Sequence, residues 1–118
     1  MGGYARIARR KINGNNKTKE SAKMDEQYYI VRCDRSGVFF GQIKERNGQE
    51  ITMVNVRCLW SWYGAAQTLQ LSTEGTNKPN KCRFTEFVKE LTVLDAIQLV
   101  PCTPQATNSL SEVAEWKA

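Results

Sequence analysis

Val54-Asn55-Val56-Arg57-Cys58-Leu59-Trp60-Ser61-Trp62-Tyr63-Gly64-Ala65-Ala66 opens on an alternating pattern and closes on three large aromatic side chains. Val54, Val56, Cys58 and Trp60 alternate with Asn55, Arg57, Leu59 and Ser61, which makes one largely apolar face over about eight residues and predicts a β-strand. Successive side chains of an extended backbone face opposite ways, so Trp60 and Trp62 are expected on one face and Ser61 and Tyr63 on the other. Three large aromatics in a row cannot all enter one core. Part of this surface is therefore expected to meet something else: a second layer of the chain, a second copy, or a ligand.

Upstream, Gln27-Tyr28-Tyr29-Ile30-Val31-Arg32-Cys33 is rich in aromatic and β-branched residues and predicts a first strand. A polar turn, Asp34-Arg35-Ser36, leads to a second over Gly37 to Ile43, whose two glycines point to a bend or a close approach of backbones. In Lys44-Glu45-Arg46-Asn47-Gly48-Gln49-Glu50, Asn47-Gly48 can supply the two positive φ angles of a type I′ turn, so a hairpin is expected. Downstream the period changes. Ala65, Ala66 and Leu69 fall on one side of a short helix over Gly64 to Leu71, with Gly75 placed to end it. Thr76 to Lys81 reads as a loop, and Cys82 to Val88 and Thr92 to Val100 as further strands. Thr103-Pro104 opens a second helix over Pro104 to Leu110, Thr as N-cap and Pro at the first position. Val113 and Trp116 are expected to cover an open edge of the core. The fold class is mainly β (α+β): a small, strongly bent antiparallel sheet or partial barrel with two short helices.

The chain has 118 residues, one domain's worth, and at 41% hydrophobic and 25% charged its composition is that of a globular chain. No stretch approaches the roughly 20 apolar residues of a membrane helix, and no apolar secretion signal is present. The net charge of +5 suggests nucleic acid until it is located. Residues 1–25 hold seven basic residues against Glu20 and Asp25, a net +5, so residues 26–118 are formally neutral. With little apolar periodicity and a turn-forming Asn13-Gly14-Asn15-Asn16, residues 1–25 read as a flexible basic arm ahead of a single β-rich domain over 26–118. Arg6, Arg9, Arg10 and Lys11 are its candidate contacts to nucleic acid or an acidic surface. Met24 reads as an alternative start of the folded unit.

The residues that classical catalytic chemistry requires are largely missing from the sequence. The chain has no His, which removes Ser-His-Asp and Cys-His arrangements and the commonest zinc and iron ligand sets. Cys33, Cys58, Cys82 and Cys102 lie 25, 24 and 20 positions apart, without a Cys-x-x-Cys pair, and read as buried free thiols. No acid/base couple and no glycine-rich phosphate loop stands out. No enzyme, metal or cofactor is expected. What remains is Arg57, Trp60, Trp62 and Tyr63. They could stack on a planar ligand with Arg57 neutralising a phosphate, or form a packing ridge or subunit interface.

Tyr29-Ile30-Val31-Arg32, Gly37-Val38-Phe39-Phe40-Gly41, Arg46-Asn47-Gly48, the Val54 to Ala66 run, Glu74 to Phe84, Ile97 to Pro101 and Val113 to Trp116 together resemble a family of small uncharacterised phage and prophage proteins. The central Trp-x-Trp/Tyr-x-Gly-Ala element is the most specific part, and the basic arm is the departure. The resemblance implies a phage source and brings no catalytic residues. Together these readings lead to a phage-encoded, non-enzymatic binding module. It is expected to act as a homo-oligomer on a host or phage protein or a small ligand, in the cytoplasm of the infected bacterial host. The alternative is a structural component of the virion whose arm contacts neighbouring subunits or DNA.

Overall fold

A computed structural model describes residues 26–117; the arm, with Arg6, Arg9, Arg10 and Lys11, lies outside the described residues. β1 spans Tyr29–Cys33, β2 Val38–Asn47 and β3 Glu50–Ser61, followed by α1, Thr68–Glu74. A 3-10 turn, Pro79–Lys81, leads to β4, Arg83–Phe84, then β5, Val88–Val93, β6, Ala96–Pro101, and α2, Pro104–Glu112. The six strands form one antiparallel sheet in the order β4-β3-β2-β1-β6, with β5 also pairing β3. β5 and β6 are joined through Leu94-Asp95 yet each pairs elsewhere, so the sheet bends until its two edges are neighbours without closing.

Both faces of the bent sheet are covered. Val31, Cys33, Phe39, Ile51, Met53, Val56, Val93 and Ala96 form a core made by strands alone. Ile30, Phe40, Leu59 and Phe84 form the other face, packed against Leu71 of α1 and Ala106 and Leu110 of α2. Adjacent residues such as Ile30 and Val31, or Phe39 and Phe40, thus serve opposite cores, which explains why β1 and the start of β2 are apolar on both sides.

β3 changes phase twice. Ile51 and Met53 serve the strand core, and so do Val56 and half-buried Cys58, one residue out of step. The shift occurs at Asn55, which has φ +48° and falls where the β2–β3 register slips between Phe40 and Gln42. An extra residue of this kind is a β-bulge, which bends its strand. Gly41 faces the bulge. A Cβ there would lie 2.8 Å from the Cα of Val56, so only glycine permits this approach of β2 to β3.

The β2–β3 hairpin forms, but its two-residue turn is Gly48-Gln49, with Asn47 paired to Glu50, rather than Asn47-Gly48. Gly48 alone takes positive φ, +63°, the pattern of a type II′ turn, which requires glycine at its first central position. The first helix starts four residues later than the predicted Gly64 and ends at Gly75 as expected. The expected Cys82 to Val88 strand reduces to the two residues of β4 and the first residue of β5, and the expected Thr92 to Val100 strand is broken at Leu94-Asp95. Leu94 is apolar and exposed, which made the run look continuous. What fixes the turn is Asp95, whose carboxylate accepts from the Arg35 and Ser36 amides at 2.6 and 3.0 Å and from the Ser36 hydroxyl. α2 has the expected cap, the Ala106 amide donating to Thr103 Oγ1 at 3.0 Å.

Candidate binding surface

The four aromatic-stretch candidates do not act as one group. Trp60 is 65% exposed and Tyr63 59%, whereas Trp62 is half-buried against the helix-side core and Arg57 is 2% exposed. The expected pairing of Trp60 with Trp62 on one face fails for a local reason. Leu59 pairs with Phe84 and Ser61 with Arg83, so two residues of β3 are spent against one of β4, and Trp60 is the extra one. The bulge turns Trp60 outward and moves the alternation by one position, which carries Trp62 to the Leu59 side.

Arg57 is not available to a ligand's phosphate. Its Nε donates to the Thr85 carbonyl at 2.9 Å, and Nη1 donates to the carbonyls of Leu110 and Val113 at 3.0 Å each. The guanidinium also lies 5.4 Å from the Phe84 ring centre and 4.6 Å from that of Phe87. The carbonyls at the end of α2 have no partner within the helix, and a cation there is favourable. Burial lowers the affinity of Arg57 for its proton, with Glu115 acting in the opposite direction, yet an arginine stays charged. Its role is to join β3 to the end of α2.

Trp60 and Tyr63 are held on a firm base. The Tyr63 carbonyl accepts from the Thr76 hydroxyl and the Cys82 thiol, and Gly64 packs so closely on Thr76 and Asn77 that a Cβ would lie 2.6 Å from the threonine oxygen. The loop from Thr76 to Arg83 is thereby fastened beneath the aromatics. It carries Lys78, Lys81 and Arg83, all exposed. Arg83 lies over the partly exposed Trp116 ring, 5.5 Å from its centre, and the Trp116 amide donates to the Phe84 carbonyl at 2.8 Å. The C-terminal segment therefore runs alongside β4. Sequence reading missed this basic group because its members come from a loop read only for turn propensity; the run Lys78-Pro79-Asn80-Lys81-Cys82-Arg83, free of acids, was the available signal.

The four cysteines are free thiols, three buried and Cys58 half-buried. Burial, with Asp95 nearby, pushes Cys33 up to about 11, and burial pushes Cys102 up to about 12. Among the described residues no cluster of three or more His, Cys, Asp or Glu could hold a metal ion, and no helix is long and apolar enough to cross a membrane. A family model described as Domain of unknown function (DUF6948) matches residues 26–110, which begin just ahead of β1 and end within α2. No curated protein and no solved structure matches the chain.

Proposed function

Because the chain belongs to the DUF6948 family, whose description carries no activity, we propose its function from its surface: a phage-encoded, non-enzymatic binding module that works as a homo-oligomer and holds its partner against Trp60 and Tyr63. One observation carries this reading. Trp60 is the extra residue of a bulge and stands 65% exposed on a strand end whose backbone is tied to the loop below. A lone exposed leucine would mean little, but Trp and Tyr presented rigidly are the side chains that anchor interfaces. On this reading the protein acts inside the infected bacterial cell.

Native mass spectrometry of the full chain, beside a denatured sample of the same preparation, tests the proposal. The expected result is a discrete oligomer, or extra mass that denaturation removes. A bare monomer at the chain mass across a range of concentrations would contradict self-association.

A further inference from the structure

We infer that the partner held on this surface is a single-stranded nucleic acid, with Trp60 and Tyr63 stacking on bases and Lys78, Lys81 and Arg83 meeting phosphates. The inference rests on the binding-surface reading above and names the chemistry of the partner. Trp60 and Ser61 together oppose Arg83. Leu59 and Phe84 both face the helix-side core, so Trp60 and Arg83, next to them in β3 and β4, are turned away from it. Arg83 in turn lies over Trp116. An indole, a guanidinium and a second indole therefore follow one another across the end of the sheet, with Tyr63 beside them.

The loop that underlies these rings carries charge of one sign. The run from Gly75 to Thr85 contains three cations and no acid. Among the described residues Lys78, Lys81 and Arg83 take part in no ion pair. Glu86 and Glu115, which follow β4 and lie beside it, share the single cation Lys117, at 3.3 and 3.7 Å, so this trio carries one net negative charge against the three cations of the loop. A formally neutral domain still leaves a net positive charge, on cations without an ion-pair partner, next to its exposed aromatic rings. That combination suits a chain of phosphates carrying planar rings, because bases stack on aromatic faces while cations track the backbone. It suits a single strand better than a duplex, in which the faces of the bases are already stacked on one another. Arg57, the arginine next to the aromatics in sequence, has no part in it.

The test is fluorescence anisotropy of a labelled oligothymidylate of about 20 nucleotides, longer than a common site of ~4–16, titrated with the full chain over a series of salt concentrations. Heparin, a polyanion without bases, is the comparison. The Trp60→Ala/Tyr63→Ala protein is expected to bind the oligonucleotide at least about five-fold more weakly and heparin as before. Lys78→Gln/Lys81→Gln is expected to weaken both and to reduce the slope of log affinity against log salt by about 1.4, roughly 0.7 for each single-strand phosphate that is no longer neutralised. Oligonucleotide binding that the aromatic variant leaves unchanged, or no binding at all, overturns the inference. Sedimentation of the same variants without nucleic acid separates this failure from that of the broader reading. Self-association abolished in Trp60→Ala/Tyr63→Ala, with oligonucleotide binding intact, would leave a protein-contact surface and refute the nucleic-acid partner. No change in either would refute both.

Discussion

Arg57 shows how one residue can look functional in sequence and be structural in space. A cation three positions before a tryptophan suggests a phosphate contact, yet its guanidinium is used by four carbonyls, that of Thr85 in the β4–β5 link and those of Leu110, Ser111 and Val113 at the end of α2. The sequence offers no sign of this, because Leu110 and Val113 lie more than fifty residues away. Arg57→Ala would strand those carbonyls in a buried site, at a cost of about 3 kcal/mol. For a domain of this size that lowers the melting temperature by more than about 10 °C in a thermal melt. Arg57→Lys loses the fork geometry and should recover only part of the loss. A melting temperature unchanged in Arg57→Ala would show that the carbonyls are satisfied in another way. The buried thiols give a second residue-scale expectation. With Cys33 near 11 and Cys102 near 12, their thiolate fractions at pH 8 are about one part in a thousand or less. Iodoacetamide should therefore label both only after denaturation, as peptide mass spectrometry would reveal.

At the scale of elements, the existence of strands was legible and their phase was not. β1, β2 and the β2–β3 hairpin could be read from aromatic and β-branched runs and the Asn-Gly signal, and α2 from Thr103-Pro104. The two bulges of β3 could not be read, because a period-two pattern assumes one residue against one. That assumption placed Trp60 and Trp62 on one face and hid the surface that Trp60, Tyr63 and Arg83 share. The bulges make a paired prediction. Trp62→Ala removes a ring from the helix-side core and should lower stability by roughly 3 kcal/mol or somewhat less, since Trp62 is only half-buried. Trp60→Ala should stay within about 0.5 kcal/mol of the wild type, as surface changes do. Urea denaturation of the two variants reads both values, and a reversed order would contradict an outward-turned bulge at Trp60. The short β4 and the Leu94-Asp95 turn were illegible for another reason, since they depend on contacts with the Asp34 to Ser36 turn and the C-terminal segment.

For the whole molecule, the bent sheet meets itself around Asp95. Its carboxylate receives the Ser36 hydroxyl and the Arg35 and Ser36 amides, and these bonds hold it below the ordinary carboxylate range. A group depressed in this way adds stability that is present above its unfolded value of about 3.9 and is lost as the pH falls through the lower folded value. Wild type should therefore lose more stability than Asp95→Asn between pH 5 and the acid limit, a difference that melting curves across this range would display. Equal acid sensitivity would mean that the carboxylate does not hold the turn. The same bending brings β3, β4 and the C-terminal segment together at one end, where the binding surface lies. The most direct test of that surface is fluorescence anisotropy of a labelled oligothymidylate with wild type and Trp60→Ala/Tyr63→Ala at matched concentrations, with a thermal melt of each sample. The variant is expected to keep the wild-type melting temperature and to bind at least about five-fold more weakly. A variant that binds as wild type does, or that unfolds, would contradict a nucleic-acid surface built on Trp60 and Tyr63.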